Sequence, residues 1–307
     1  MDICVQSGGM ITRISEEKTY AAIRKAGFTA IDWNIDRDLK SDLIKKLDYA
    51  GKSVFERPFE EVLKHHEKEL AIIRENGLTI SQAHAPFPAY VPGHPEVLEF
   101  MIGVYKNAIR LCHHAGCKYL VIHGISLEEG DTTNTPESIE ALNWHLYESL
   151  IPTLLECDVV VCLENLFTRR PVPVEGICSD PHEAVRYIDG LNEKAGKEVF
   201  VFLLDIGHLQ LVNKNMRTFI PIIGKRLKAL HLHDNDGRDD LHRAPLTGTV
   251  NWPVLCDCLK EIGYEGDLSF ETFVQARLAL AFDEDLLVPW LTLIQKTGES
   301  MRKKIEN

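Results

Sequence analysis

Residues 199–233 read VFVFLLDIGHLQLVNKNMRTFIPIIGKRLKALHLH, and the fold turns on them. The stretch opens with an apolar run, 199–205, that ends on Asp205. Residues around 216–223 carry helical spacing and stop at Gly224. A second apolar run, 227–233, follows and carries His231 and His233. A short buried run, a helix closed by glycine and another short buried run make the repeating unit of a parallel sheet. Glycine just past a helix is the usual stop because it takes a left-handed backbone cheaply.

The unit recurs in both directions. Runs of strand character occupy 2–6, 30–34, 79–84, 119–123, 159–164 and 267–271. Helical stretches lie at 16–26, 60–76, 95–115, 136–157, 180–191 and 252–262, and 283–302 closes the chain. Gly27, Gly77, Gly116 and Gly263 stop helices as Gly224 does. Asp180-Pro181 opens one, with aspartate as the cap and proline at the first helical position. The strand runs are apolar with little alternation, as expected when both faces are covered. Eight repeats predict an α/β fold, a (β/α)₈ TIM barrel, with 1–307 as a single domain. Such a barrel typically takes about 250 residues, so a chain of 307 leaves room for loop insertions. No G-x-G-x-x-G follows any run, so an open dinucleotide-binding sheet has no support.

The hydrophobic fraction of 45% and charged fraction of 26% are those of a soluble globular protein. The net charge is −12, which argues against nucleic acid and against an anionic membrane surface as partners. The eight cysteines form no C-x-x-C pair, and buried free thiols in a reducing cytosol are expected. The N-terminus, MDICVQSGGM, does not read as a signal peptide. No run of about 18 apolar residues is present, so no membrane span is expected. A cytoplasmic location follows as the expectation.

Six consecutive runs end on a side chain able to bind metal: His84, His123, Glu164, Asp205, His231 and Glu271. In a barrel these ends converge on the face where barrel enzymes place their sites. Buried acids and imidazoles there would be costly unless paired, and a divalent cation would pair them. His208 lies three residues past Asp205, within reach of the same place. Asp240 and His242 are two apart, and in an extended loop their side chains share a face. Asp234, Asp236 and Asp239 read as a solvated acidic loop. His65, His66, His113 and His114 lie in helical stretches where adjacent residues do not share a face. With His94, His145 and His182 they receive no role. Arg169 and Arg170 follow the fifth run in a loop, as an anion contact or as exposed surface.

The sequence resembles the xylose isomerase-like TIM barrel superfamily of sugar isomerases and epimerases, which is related to the zinc-dependent apurinic endonucleases. The resemblance runs through 83–87 (AHAPF), 121–124 (VIHG), 163–165 (LEN), 204–208 (LDIGH), 231–235 (HLHDN), 240–242 (DLH), 246–252 (LTGTVNW) and 270–271 (FE). It implies that Glu164, Asp205, His231 and Glu271 hold one divalent ion of the Mn²⁺, Co²⁺, Mg²⁺ or Zn²⁺ type. It also implies that Glu164 and Glu271 form a catalytic acid/base pair and that His208 meets substrate hydroxyls. The endonuclease branch uses nine ligands for three zinc ions. All nine positions are filled here, by His84, His123, Glu164, Asp205, His208, His231, Asp240, His242 and Glu271. Additional zinc is therefore compatible with the ligand set. The endonuclease Gly-x-Gly is reduced to Gly248 after Pro245 and Thr247, and the 231–242 loop is acidic where DNA would require base.

The resulting expectation is a metal-dependent sugar isomerase or epimerase acting through proton abstraction next to a carbonyl. Its substrate would be a ketose, sugar acid or related polyol ketone, with His84, His123, His242 and Asp240 facing it. The alternatives are a zinc-dependent phosphodiester hydrolase, a keto-sugar or keto-inositol dehydratase or lyase, and a sugar-binding barrel without catalysis. The partner expected is a small carbohydrate. A homo-oligomer is also compatible, with the C-terminal helix around Trp290 as the candidate surface.

Overall fold

The computed structural model describes residues 1–169 and 171–307, so Arg170 lies outside the described residues. Eight parallel strands form one sheet: β1 (Ile3–Gln6), β2 (Ala30–Asn34), β3 (Thr79–His84), β4 (Tyr119–Val121), β5 (Val160–Glu164), β6 (Phe200–Asp205), β7 (Leu227–His231) and β8 (Leu268–Phe270). Each pairs with the strand before it up to β7, and β8 pairs with β1. The last gap closes just past the strand ends. Leu232 N–H donates to the Ser269 carbonyl at 2.8 Å, and Glu271 N–H donates to the Leu232 carbonyl at 3.1 Å. The fold is the (β/α)₈ TIM barrel that the repeat predicts.

Successive side chains of a strand face opposite sides. Val121, Val160, Cys162, Val201, Leu203 and Ala229 pack together as a small apolar cluster inside the barrel. Their neighbours Val161, Leu163, Phe200, Phe202, Leu204 and Leu230 join the larger core beneath the helices. Two-faced burial explains the apolar, weakly alternating runs. It also sets the rim, because the next inward position after Cys162, Leu203 and Ala229 is Glu164, Asp205 and His231.

The glycine stops hold: Gly27, Gly77, Gly116, Gly224 and Gly263 all have positive φ. Asp180 caps the helix Pro181–Ala195, accepting from His182 N–H. The expected 136–157 helix is two helices, Pro136–Glu148 and Ile151–Cys157. The second begins with Pro152 in its first turn, where a ring without an N–H is tolerated. Several elements go beyond the sequence reading, among them the short helices Gly8–Ile11 and Ser41–Lys45. A short helix Ile206–Leu211 follows β6 directly, a helix Phe273–Phe282 precedes the closing helix Leu287–Glu306, and the loop after β5 carries an antiparallel pair, Phe167–Arg169 with Pro173–Glu175. All eight cysteines are buried and unpaired. No helix among the described residues is long and apolar enough to cross a membrane.

Candidate metal centre

At the carboxyl rim the register sets the candidate residues and their neighbours side by side. Asp205 of β6 pairs directly with His231 of β7, and Asn34 of β2 with His84 of β3. His123 stands two residues past β4, and Glu271 one past β8. His231 is the hub. Its Nδ1 lies 3.4 Å from Glu164 Oε1, 3.5 Å from Glu271 Oε2 and 3.9 Å from Asp205 Oδ2. Its Nε2 faces Asp32 Oδ2 at 3.1 Å. That oxygen also accepts from Gln82 Nε2 at 2.8 Å and from Ser269 Oγ at 3.1 Å. With Nε2–H donating to Asp32, Nδ1 is the nitrogen turned to the three carboxylates.

The carboxylates are held from behind. Asp205 Oδ1 caps the short helix by accepting from His208 N–H at 2.7 Å. His233 Nε2 lies 3.0 Å from the same oxygen. Asn165 clasps the Asp205 backbone, donating to its carbonyl at 2.9 Å and accepting its N–H at 2.8 Å. Gln6 Nε2 donates to Glu271 Oε1 at 2.5 Å. Glu164, Asp205, His231 and Glu271 are all buried.

The other expected residues flank this core. His84 Nδ1 contacts its neighbour's carbonyl, and its Nε2 lies 3.0 Å from His123 Nε2. His123 Nε2 in turn lies 3.0 Å from Glu164 Oε2. His208 Nδ1 is 3.3 Å from Glu164 Oε1, and its Nε2 is 3.6 Å from Asp240 Oδ2. Asp240 Oδ2 contacts His242 Nε2 at 2.9 Å, so the two meet as expected. An extended loop is not the cause, because His242 has a left-handed backbone, φ 42°.

Burial and charge oppose each other here. Burial would raise Glu164, but His231 and His123 beside it hold its carboxyl well below the usual range. Burial raises Glu271, and His231 and His242 offset this only in part. Burial disfavours a charge on His231, yet Glu271 and Glu164 raise it well above an ordinary imidazole. His84, buried and beside His123, is held down at about 3. Three buried carboxylates around one imidazole nitrogen demand positive charge. Their mixed oxygen and nitrogen donors fit a divalent ion.

The rim opens into a cavity of about 940 Å³ whose lining includes His84, His123, Glu164, His208, Asp240, His242 and Glu271 but not Asp205, His231 or His233. Phe87, Phe167 and Phe273 line it, and each packs against an imidazole: His123 at 4.7 Å, His208 at 5.1 Å and His242 at 4.4 Å between ring centroids.

Two corrections concern the acidic loop and the helical histidines. Asp234 is not solvated. It is fully buried and accepts from Val250 N–H at 3.0 Å and Trp252 Nε1–H at 2.9 Å, pinning the loop, whereas Asp236 and Asp239 are exposed. His65 and His66, adjacent on their helix, do converge: both approach Asp38. Arg169 pairs with Asp239 at the surface. His94, His113 and His145 make local contacts away from the rim. Sequence reasoning missed Asp32, Gln82, His233, Asn165 and Gln6. For Asp32 a signal existed: a charge inside an apolar strand, two positions before its end, faces the barrel interior.

The chain belongs to the xylose isomerase-like TIM barrel family, whose model matches residues 20–303. It is 24% identical over 262 residues to the uncharacterized protein y4fM of Sinorhizobium fredii, covering 81% of this chain and 78% of that one. It is 30% identical over 125 residues to the D-psicose 3-epimerase of Enterocloster bolteae, covering 41% of this chain and 37% of that one. Among solved structures, the D-allulose 3-epimerase of a Methylomonas species superposes with a TM-score of 0.69 at 15% identity, covering 99% of this chain and 98% of that one.

Proposed function

We propose that this protein is a divalent-metal-dependent carbohydrate isomerase or epimerase, acting on a ketose, sugar acid or related polyol ketone. One observation carries the reading: His231 Nδ1 is ringed by the carboxylates of Glu164, Glu271 and Asp205, and the two glutamates line a cavity large enough for a sugar. Glu164, Asp205, His231 and Glu271 would hold the ion. When bound, it polarises a carbonyl oxygen and takes up the negative charge that develops as the neighbouring C–H ionises. The mixed donor set suits Mn²⁺, Co²⁺ or Zn²⁺ better than Mg²⁺. The family and the local likeness to a D-psicose 3-epimerase support a sugar substrate.

The chain supplies the proton transfers and the positioning. A carbon next to a carbonyl is too weak an acid for a lone carboxylate in water. Glu164 at the end of β5 and Glu271 just past β8 both approach His231 Nδ1, at 3.4 and 3.5 Å, and on this proposal they flank the reacting carbon. One carboxyl, ionised, removes a proton from one face of the carbon and keeps it, while the other, already protonated, donates its own proton to the opposite face, which is epimerisation. Return to the adjacent carbon is isomerisation. His208, His84, His123, Asp240 and His242 line the cavity and meet the sugar hydroxyls, while Phe87, Phe167 and Phe273 cover its apolar faces. Glu164→Gln and Glu271→Gln should each lower turnover by about 10²–10⁴-fold, the usual contribution of a positioned acid or base. Full activity in both variants would sink the proposal.

A second reading rests on the His84–His123–Glu164 contact, three donors close enough to share a further ion. It is the multi-zinc phosphodiester hydrolase. Nicking of abasic DNA by the zinc-loaded protein would favour it, and the chain's charge of −12 predicts none.

A further inference from the structure

Away from the barrel mouth, Asp38, His65 and His66 bring three donor atoms together. Asp38 closes the 3₁₀ turn Asp36–Asp38 after β2, and the two histidines lie on the helix Phe59–Glu75. Asp38 Oδ2 is 3.0 Å from His66 Nε2, and Asp38 Oδ1 is 3.7 Å from His65 Nε2. Around a tetrahedral Zn²⁺ with bonds near 2.0–2.1 Å, donor atoms stand about 3.3–3.5 Å apart. The two separations, one from each Asp38 oxygen, fall on either side of that value.

The arrangement behind His66 is that of a metal ligand. Its Nδ1 lies 2.7 Å from the Val62 carbonyl, one helical turn back, which leaves Nε2 as the nitrogen aimed at Asp38. Ligating imidazoles commonly donate their other N–H to a carbonyl in this way. His66 is buried, with Trp33 edge-on at 5.6 Å and Phe55 at 5.7 Å, so its ring is fixed. His65 is half exposed, yet it turns to the same carboxylate.

Nearby cations are already engaged. Lys52 pairs with Asp48 at 2.6 Å, Arg57 with Glu61 at 3.6 Å, and Arg37 with Glu69. A separate cavity of about 210 Å³, lined by Asp38, His65, Gly51, Lys52 and Ser53 among others, leaves room for water as a fourth ligand.

We infer that Asp38, His65 and His66 form a transition-metal site separate from the barrel mouth. Two imidazoles and one carboxylate select Zn²⁺, Co²⁺ or Ni²⁺ over Mg²⁺ or Ca²⁺. The ion would clamp the turn carrying Asp36–Asp38, which forms part of the wall of the main cavity, to the helix beside it.

The test is equilibrium dialysis of the full chain against micromolar Zn²⁺ with elemental counting, comparing the unaltered protein with His65→Ala, Asp38→Asn and His145→Ala. His65 is half exposed, so its removal places little burden on folding. His145 is an exposed histidine elsewhere, paired with Glu99. The expected result is one equivalent fewer in His65→Ala and Asp38→Asn and no loss in His145→Ala. Subtraction cancels whatever the barrel mouth holds. Equal zinc in the unaltered protein and His65→Ala would overturn the site and leave Asp38 and His66 as a structural contact without metal. Equal loss in His145→Ala would overturn it too, as adventitious binding to surface imidazoles.

Discussion

Asp32 fixes the ring of His231, one of the four proposed metal ligands. It accepts from His231 Nε2 and thereby turns Nδ1 toward Glu164, Glu271 and Asp205. Removing such a partner typically lowers metal affinity about 10–100-fold. Asp32→Asn should show that loss in a Mn²⁺ or Zn²⁺ titration while the fold, followed by circular dichroism, is kept. Undiminished affinity would mean that Asp32 does not set the ring. The neighbouring Asp36 gives a pH signature. Burial pushes it up to about 6, with Glu271 and Asp32 adding to the effect against a hydrogen bond from Asn34. In the unfolded chain an aspartate titrates near 3.9. The folded protein therefore holds this proton more tightly. That stabilisation is complete below about pH 4 and is lost as pH rises toward 6. Asp36→Asn should flatten the dependence of Tm on pH across that window, and an unchanged slope would assign it to other groups. At this scale the rim residues were legible because each stands at or near the end of an apolar run. Gln82 and His233 were not, since a buried polar residue declares its role only when its partner strand is known; Asp32 left only the sign of a charge within an apolar strand.

Among elements, the loop after β7 turns on Asp234. Its carboxylate accepts the Val250 N–H and the Trp252 indole N–H, and Gly248 packs against it so closely that an added Cβ would lie 2.1 Å from the Asn235 carbonyl oxygen. Asp234→Ala leaves those buried donors without partners, at a cost of about 3 kcal/mol. A urea midpoint lowered accordingly is the expected result, and a shift under about 0.5 kcal/mol, the level of an ordinary surface change, would show that the loop holds by other means. Gly207 is equally constrained: a Cβ there would sit 1.9 Å from His233 Cε1. The DNDGRDD string reads as acid in water because composition, not contact, is visible in a sequence. The helix Phe273–Phe282 escaped for a related reason. Thr272 gives it no side-chain cap, and FVQARLALAF continues the apolar run of β8 with little amphipathic pattern. The hairpin Phe167–Arg169 with Pro173–Glu175 is too short and too rich in proline to register as strands. The eight barrel strands and the principal helices between them were legible, because two-faced burial and glycine stops act within a few residues.

For the whole molecule, closure is what turns scattered residues into a site. His84, His123, Glu164, Asp205, His231 and Glu271 come from six strand ends, and only the pairing of β8 with β1, together with the Leu232–Phe270 bridge, brings the last beside the others. The convergence was predictable from the repeat; the hydrogen bonds orienting it were not. On the proposed function this mouth, loaded with a divalent ion, ionises a C–H next to a carbonyl. The direct measurement is deuterium wash-in from D₂O, followed by NMR, over a panel of ketoses, inosose-type ketones and sugar phosphates with Mn²⁺ added. The account predicts deuterium at the carbon beside the carbonyl of at least one member, lost on chelation, restored by Mn²⁺ and absent in Glu164→Gln and Glu271→Gln. No exchange on any member by the metal-loaded protein, or exchange that survives chelation and both substitutions, would contradict it.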